Sequence, residues 1–128
     1  MPMMSFIDSY QKNWALRYIR EAKAEITAAQ NTPYMASSLI LEGVRKAQAA
    51  VYFSLGDPAS AELIVHEALE DSQVVEDPVL RFLVEMERTV QMVAIIPESE
   101  RDKAMKEAVE LVQMASEIVS LFTGEKTD

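Results

Sequence analysis

The alternation of apolar and polar positions predicts five amphipathic helices separated by proline-marked breaks. These breaks fall at Asn31-Thr32-Pro33, Gly56-Asp57-Pro58, Glu76-Asp77-Pro78 and Ile96-Pro97. Proline is tolerated in the first turn of a helix, where its missing N–H would have no partner anyway. An Asp just before it can accept hydrogen bonds from the free N–H groups of that turn. We therefore expect Asp57 and Asp77 to cap the third and fourth helices.

Within each segment, apolar residues recur at spacings of three and four, as they do on one face of a helix. The predicted helices span about 5–30, 33–55, 58–73, 78–95 and 98–122, and Gly124 ends the last one. The predicted fold is an all-α, up-down bundle of about five helices in a single domain, 1–128, whose tail, 123–128, frays. The residues at the centres of the stripes form the expected core: Trp14, Tyr18, Val44, Val51, Ile64, Leu83, Val90, Leu111 and Ile118.

The apolar stripes of the first, second, fourth and fifth helices look wider than one bundle of this length can cover. We expect the excess to form a symmetric homodimer interface, with the fifth or the first helix as its main contributor. The alternative is that every stripe is satisfied internally, because a helix in the middle of a five-helix packing can be apolar on three sides.

Charge is distributed unevenly along the chain. Residues 1–56 hold six Lys or Arg against four Asp or Glu, a net charge of +2, whereas residues 57–128 hold six against 17, a net charge of −11. The acidic part repels nucleic-acid backbones and anionic lipids at long range. The chain has no cysteine and no apolar run long enough to span a bilayer. With no signal peptide visible either, we expect a cytoplasmic protein without a membrane partner.

The only histidine, His66, has Glu62 and Glu70 four residues to either side, on one face of the third helix. An imidazole and two carboxylates can bind a transition metal. Di-iron bundles, however, need Glu-x-x-His twice, and here Leu63 stands three residues before His66 and no second His follows. A solvated polar face, or a histidine packed between two helices, is the favoured interpretation, so we assign no metal and no cofactor.

An acidic cluster lies around the break between the third and fourth helices: Glu67, Glu70, Asp71, Glu76 and Asp77. All-helical nucleotide pyrophosphohydrolases hold magnesium on phosphates with carboxylates from two helices. Their paired pattern, Glu-Glu-x-x-Glu followed by Glu-x-x-Asp, is absent here. The chain also lacks a catalytic cysteine and a glycine-rich phosphate loop, so it offers few candidate catalytic groups.

One pattern of alanine and charge at helical spacing runs through Trp14-Ala15-Leu16, Arg20-Glu21-Ala22-Lys23-Ala24, Tyr34, Val44-Arg45-Lys46-Ala47-Gln48-Ala49-Ala50, Leu55-Gly56-Asp57 and Ala104-Met105-Lys106-Glu107-Ala108-Val109-Glu110-Leu111 up to Phe122. This pattern resembles the first two helices and the last helix of HEPN domains, the higher-eukaryote and prokaryote nucleotide-binding class of small helical bundles. The resemblance implies a dimeric bundle of four or five helices. Such domains often work beside a small nucleotidyltransferase or in a toxin–antitoxin or other stress-response pair.

Active members of that family resemble one another in an Arg followed, after four to six residues, by a His, with which they cleave RNA. In this chain Ala59, Ser60 and Ala61 stand where that Arg would precede His66. Arg81 and Arg88 have no His after them. The resemblance therefore carries over no ribonuclease residue, and we assign no catalytic residue.

Three function classes follow from the sequence. The favoured one is a non-catalytic interaction module that self-associates, with a helical or nucleotidyltransferase partner, because catalytic groups are few and apolar helix surface is plentiful. The second is an enzyme, either a divergent HEPN-like ribonuclease or a magnesium-dependent nucleotide hydrolase, which would depend on His66 or Glu67. The third is a nucleic-acid-binding accessory subunit, whose basic residues would be Arg17, Arg20, Lys23 and Arg45.

Overall fold

The five helices begin and end close to the proline-marked breaks. The computed structural model describes residues 9–71 and 76–127, and within them the chain forms helices and no strand, which confirms the all-α bundle. The helices are α1 (Ser9–Asn31), α2 (Ala36–Ser54), α3 (Pro58–Glu70), α4 (Pro78–Ile95) and α5 (Arg101–Thr123). Short 3-10 turns, Pro33–Met35 and Glu98–Glu100, precede α2 and α5. The predicted start of the first helix at residue 5 lies outside the described residues.

Two aspartates cap α3 and α4, as the sequence predicts. Asp57 accepts a hydrogen bond from the Ala59 N–H at 3.2 Å and another from the Ser60 hydroxyl at 2.6 Å. Asp77 accepts bonds from the N–H groups of Val79 and Leu80 at 2.9 and 3.0 Å. Each carboxylate thereby satisfies N–H groups that have no partner within the helix.

The helix α2 lies at the centre of the bundle and contacts each of the other four helices. Its closest neighbour is α1, and small residues make this approach possible: Gly43, Ala47 and Ala50 are buried on α2. A methyl group added at Gly43 would come within 2.8 Å of the Ile26 Cδ1 atom, so only a glycine fits without movement of Ile26.

Most of the expected core residues are buried, with one clear error. Five are buried: Val44, Val51, Leu83, Val90 and Leu111. Trp14, Tyr18 and Ile118 are only half-buried. The prediction for Ile64 is wrong, because half of its surface is exposed.

In the first half of α1, the buried positions follow the expected core residues Trp14 and Tyr18 by one residue. Ala15 and Ile19 point into the core, whereas Trp14 and Tyr18 lie at its margin. There the two aromatic rings stack on Phe53 of α2, with ring centroids 6.3 and 5.8 Å away. Because the close contact between α1 and α2 has room only for smaller side chains, the large rings cover its edge instead.

The C-terminal tail, which the sequence predicts to fray, lies against the bundle up to Thr127. Gly124 adopts a left-handed conformation, with φ of 75°, and ends α5. The Thr127 hydroxyl then contacts that of Ser116, and its carbonyl accepts a hydrogen bond from the Lys23 ammonium at 2.6 Å. These contacts compensate for the entropy lost by ordering the tail.

Candidate interaction surface

The helices α4 and α5 follow each other in the chain but touch at few points. The reason is that α5 packs on α1 and α2, whereas α4 packs on α2 and α3. The space left between them is an open trough, which we call the α4–α5 groove and define by its apolar lining: Val79, Phe82, Leu111, Met114, Ile118 and Leu121. Two cavities of about 480 and 350 Å³ lie along it.

The apolar lining of the α4–α5 groove combines a buried floor with exposed edges. Phe82 and Leu111 are buried and form the floor. Met114 is 48 % exposed and Leu121 is 78 % exposed. Large apolar side chains left in water and grouped in a trough are typical of a surface that binds another protein.

The rims of the α4–α5 groove are mainly acidic. Glu85, Glu107, Glu110 and Glu117 line it, against one basic residue, Arg81. The Glu85 carboxylate is paired with Arg88 at 3.1 Å, whereas Arg81 donates a hydrogen bond to the carbonyl of Glu76. A binding partner therefore meets an apolar floor between negatively charged edges.

A third cavity, of about 520 Å³, lies at the end of the bundle where α2 and α5 end and α3 and α4 begin. We call it the end hollow and define it by the apolar side chains of Leu55, Ile64, Leu80, Leu83 and Phe122, with Asp57, Ser60 and Asp77 as its polar residues. It meets the α4–α5 groove at Val79, which lines both. The exposure of Ile64 has its explanation here, because this side chain forms a wall of the hollow rather than part of the core.

The structure does not bring the candidate metal ligands together. Glu62, His66 and Glu70 are all exposed on α3. Eight helical residues separate the outer two by roughly 12 Å along the axis, too far for both to reach one ion. Among residues 9–71 and 76–127, no group of three or more such side chains could hold a metal. Glu67 and Asp71 are also exposed, and Asp77 serves as a helix cap.

Two of the four basic residues proposed for nucleic-acid binding are engaged within the protein. The Arg17 guanidinium donates to Glu21 at 2.9 Å and lies over the Trp14 ring, 4.9 Å from its centroid. The Lys23 ammonium is held by the carbonyl of Thr127. Arg20 and Arg45 are exposed. The basic surface available to a phosphate backbone is therefore smaller than the sequence indicates.

A charge cluster between α1 and α2 was not predicted from the sequence. Lys46 lies 3.1, 3.3 and 3.8 Å from the carboxylates of Glu21, Glu42 and Glu25. Hydrogen bonds from Arg17 and then Lys46 lower the pKa of Glu21. Burial raises the pKa of Glu25, and the neighbouring Glu42 carboxylate raises it further. The sequence signals are the i, i+4 pairs Arg17 with Glu21 and Glu42 with Lys46, and such pairs are common on solvated helices.

A buried polar group between α2 and α4 was also missed. The Gln48 amide donates to the Glu87 carboxylate at 2.8 Å, and Tyr52 is buried one turn further along α2. Burial, followed by the charges of Glu87 and Glu62, raises the pKa of the Tyr52 hydroxyl. The hydrogen bond between Gln48 and Glu87 accommodates these two polar groups between the helices, whereas the buried Tyr52 hydroxyl has no hydrogen-bond partner within the described part of the chain.

Comparison with known proteins identifies no relative: no family model, no curated protein and no solved structure matches the chain. Membership of the HEPN class therefore stays a prediction, which is based only on the sequence segments that resemble those domains. None of the described helices is long and apolar enough to cross a bilayer.

Proposed function

We propose that the protein is a non-catalytic helical interaction module that self-associates through the α4–α5 groove. The observation that carries this proposal is the gap between α4 and α5, whose apolar lining reaches the surface at Met114 and Leu121. From Glu107 to Leu121 the groove follows α5 for roughly 21 Å, at 1.5 Å per residue. A helix of a second copy is long enough to occupy it.

The energetics favour association of moderate strength. When association covers a large exposed apolar side chain, the binding free energy becomes more favourable by about 1–3 kcal/mol, according to how exposed the side chain was. In a twofold dimer each residue counts twice, so Met114, Ile118 and Leu121 supply six such side chains. Association itself costs about 4–15 kcal/mol in lost freedom, and only the excess appears as affinity. A net binding free energy of about −8 kcal/mol, which lies within the difference of these two ranges, corresponds to a dissociation constant in the micromolar range.

The acidic rims oppose this self-association, because two copies present the same charges to each other. Glu107, Glu110 and Glu117 line the groove of both copies, and like charges repel across an interface. Salt screens this repulsion but leaves apolar contacts in place. A dimer formed in this way becomes stronger as the salt concentration rises.

Two variants on opposite sides of α5 test the proposal. Met114 lines the groove, whereas Val109 is exposed at 38 % and lines neither the groove nor the end hollow. Sedimentation velocity should show that Met114→Glu shifts the protein to the monomer and that Val109→Glu leaves the dimer unchanged. If both substitutions weakened the dimer equally, or if neither weakened it, the α4–α5 groove would not be the contact surface.

The resemblance to HEPN domains adds a partner to this proposal, a small nucleotidyltransferase. It rests on the sequence segments alone. The acidic rim of the α4–α5 groove suits a partner that brings a basic helix, and a pull-down with Met114→Glu and Val109→Glu as paired baits would show whether such a partner uses the same groove.

A further inference from the structure

We propose that the end hollow is a second binding site, which takes a basic segment of a partner protein by receiving an apolar side chain flanked by Lys or Arg. This site goes beyond self-association, because it lies at the end of the bundle and shares only Val79 with the α4–α5 groove.

The end hollow has the size and lining of a binding pocket. Its volume of about 520 Å³ falls in the range of small-molecule and side-chain pockets, roughly 300–1,000 Å³. Leu83 is buried at its base, and Ile64 and Phe122 are 50 % and 42 % exposed at its walls. A large apolar side chain inserted between these walls removes apolar surface from water on both partners.

The polar groups of the end hollow act as acceptors, which decides the charge of the partner. The Ser60 hydroxyl already donates its proton to Asp57, so it has none left to offer. The carboxylates of Asp57 and Asp77 use part of their acceptor capacity on the helix N–H groups and keep the rest, since a carboxylate offers about four acceptor positions. A segment that fills the hollow must therefore bring hydrogen-bond donors.

The net charge at the end hollow remains negative despite two helix N-termini. Each N-terminus contributes roughly half a positive charge, whereas each aspartate contributes a full negative one. Hydrogen bonds from Ser60 and from the Ala59 N–H lower the pKa of Asp57, so that this carboxylate is ionised at neutral pH. An ammonium or guanidinium group is thus favoured over an anion.

The surrounding charge selects a basic partner over a second copy of this chain. Residues 57–128, which provide α3, α4 and α5, carry a net charge of −11. Such a field attracts a basic segment over a long range and raises its association rate. A second copy that approached with its own α3, α4 or α5 would bring the same acidic surface, and its residues 1–56 offer a net charge of only +2.

Binding is tested with a synthetic peptide of Leu and Lys at helical spacing and a matched peptide with Glu in place of every Lys. Isothermal titration calorimetry at low salt should show binding of the Lys peptide, weaker binding at high salt, and no binding of the Glu peptide. Absence of binding by the Lys peptide, or equal binding of both peptides, would overturn the proposal.

A charge-neutral cap variant separates the binding role of the aspartates from their structural role. Asn caps a helix about as well as Asp, so Asp57→Asn combined with Asp77→Asn should leave the thermal unfolding midpoint nearly unchanged. The same variant should bind the Lys peptide about three- to tenfold more weakly, as expected for the loss of two exposed charges. An unchanged affinity would place the peptide outside the end hollow, for which the acidic rim of the α4–α5 groove is the other candidate, and would overturn the proposal.

The matched control is Glu98→Gln combined with Glu100→Gln, which removes two negative charges from the exposed turn before α5. It should bind the Lys peptide as the wild type does. If it loses as much affinity as the cap variant, the binding is non-specific attraction to an acidic protein and the proposal is wrong. Light scattering without peptide measures self-association separately. The proposal for the end hollow can therefore fail while the proposal for the α4–α5 groove holds, and the reverse outcome can also be recognised.

Discussion

Phe82 of α4 and Met114 of α5 line the same two cavities, and one side chain is buried while the other is half exposed. The pair shows how far the bundle covers its own apolar surface. Phe82 is enclosed, but nothing on α4 covers Met114 as fully. The wide apolar stripes predicted for these two helices are therefore only partly satisfied within one chain.

Truncation of Leu111 to Ala should destabilise the protein by about 2–5 kcal/mol, because its side chain is buried and leaves a cavity. Leu121→Ala is the matched control on the same helix, since Leu121 is largely exposed, and it should cost less than about 0.5 kcal/mol. Urea denaturation at protein concentrations below dimer formation measures both free energies. Similar losses for the two variants would mean that the burial along α5 is assigned wrongly.

The contact between Gly43 and Ile26 should appear as an energetic coupling. A methyl group at Gly43 meets the Ile26 Cδ1 atom, which Ile26→Val removes. We expect Gly43→Ala to be destabilising, and Ile26→Val to cost about 0.5–1.5 kcal/mol in the wild type. In the Gly43→Ala background the same Ile26→Val change should cost much less or even stabilise. A double-mutant cycle in urea measures this, and additivity within about 0.5 kcal/mol would refute the close approach of α1 and α2.

Two neighbouring glutamates should respond to neutralisation with opposite signs. The pKa of Glu21 is lowered in the folded state, so its charge stabilises the fold above its ordinary pKa of 4.5, and this contribution is lost as the pH falls through the lower folded value. Glu21→Gln should therefore lower the free energy of unfolding at pH 7, by less than about 1 kcal/mol because the pair is near the surface.

For Glu25, neutralisation should change the free energy of unfolding in the opposite direction. Its folded-state pKa is raised, so the protonated form favours folding, and this contribution disappears as the pH rises through the folded value. Glu25→Gln should then increase the free energy of unfolding at pH 7, with a gain that vanishes below pH 4.5. Denaturation curves of both variants from acidic to neutral pH are the measurement. Equal signs at pH 7 would contradict the arrangement of carboxylates around Lys46.

Features that depend on a few neighbouring residues were predictable from the sequence. Asp57 and Asp77 cap their helices because the chemistry of an Asp-Pro pair is local. The length of α4 was predictable for the same reason, since the helix begins at Pro78 and ends at Ile95, two residues before Pro97. Such features need no knowledge of which other helix lies nearby.

Features that depend on the relative positions of helices were not predictable. Ile64 has the spacing of a core residue, but the end of α5 leaves a hollow beside it. Trp14 was expected in the core and lies at its margin, because the space between α1 and α2 is set by Gly43 and its small neighbours. The end hollow itself combines residues of α3, α4 and α5 with Leu55, which directly follows α2, so no sequence window contains it.

Salt dependence should distinguish the two binding surfaces. Self-association through the α4–α5 groove should strengthen as the salt concentration rises, since Glu107, Glu110 and Glu117 of two copies repel each other. Binding of a basic peptide in the end hollow should weaken under the same conditions. Sedimentation equilibrium and calorimetry across one salt series measure both trends. A dimer that weakens with salt would show that its contacts are ionic rather than apolar.

Self-association through the α4–α5 groove can be measured by light scattering of the wild-type protein over a range of micromolar concentrations. We expect a mass that rises with concentration from the chain mass of 14.4 kDa towards twice that value, and that rises further at high salt. A mass that stays near 14.4 kDa at every concentration and salt level would contradict this expectation.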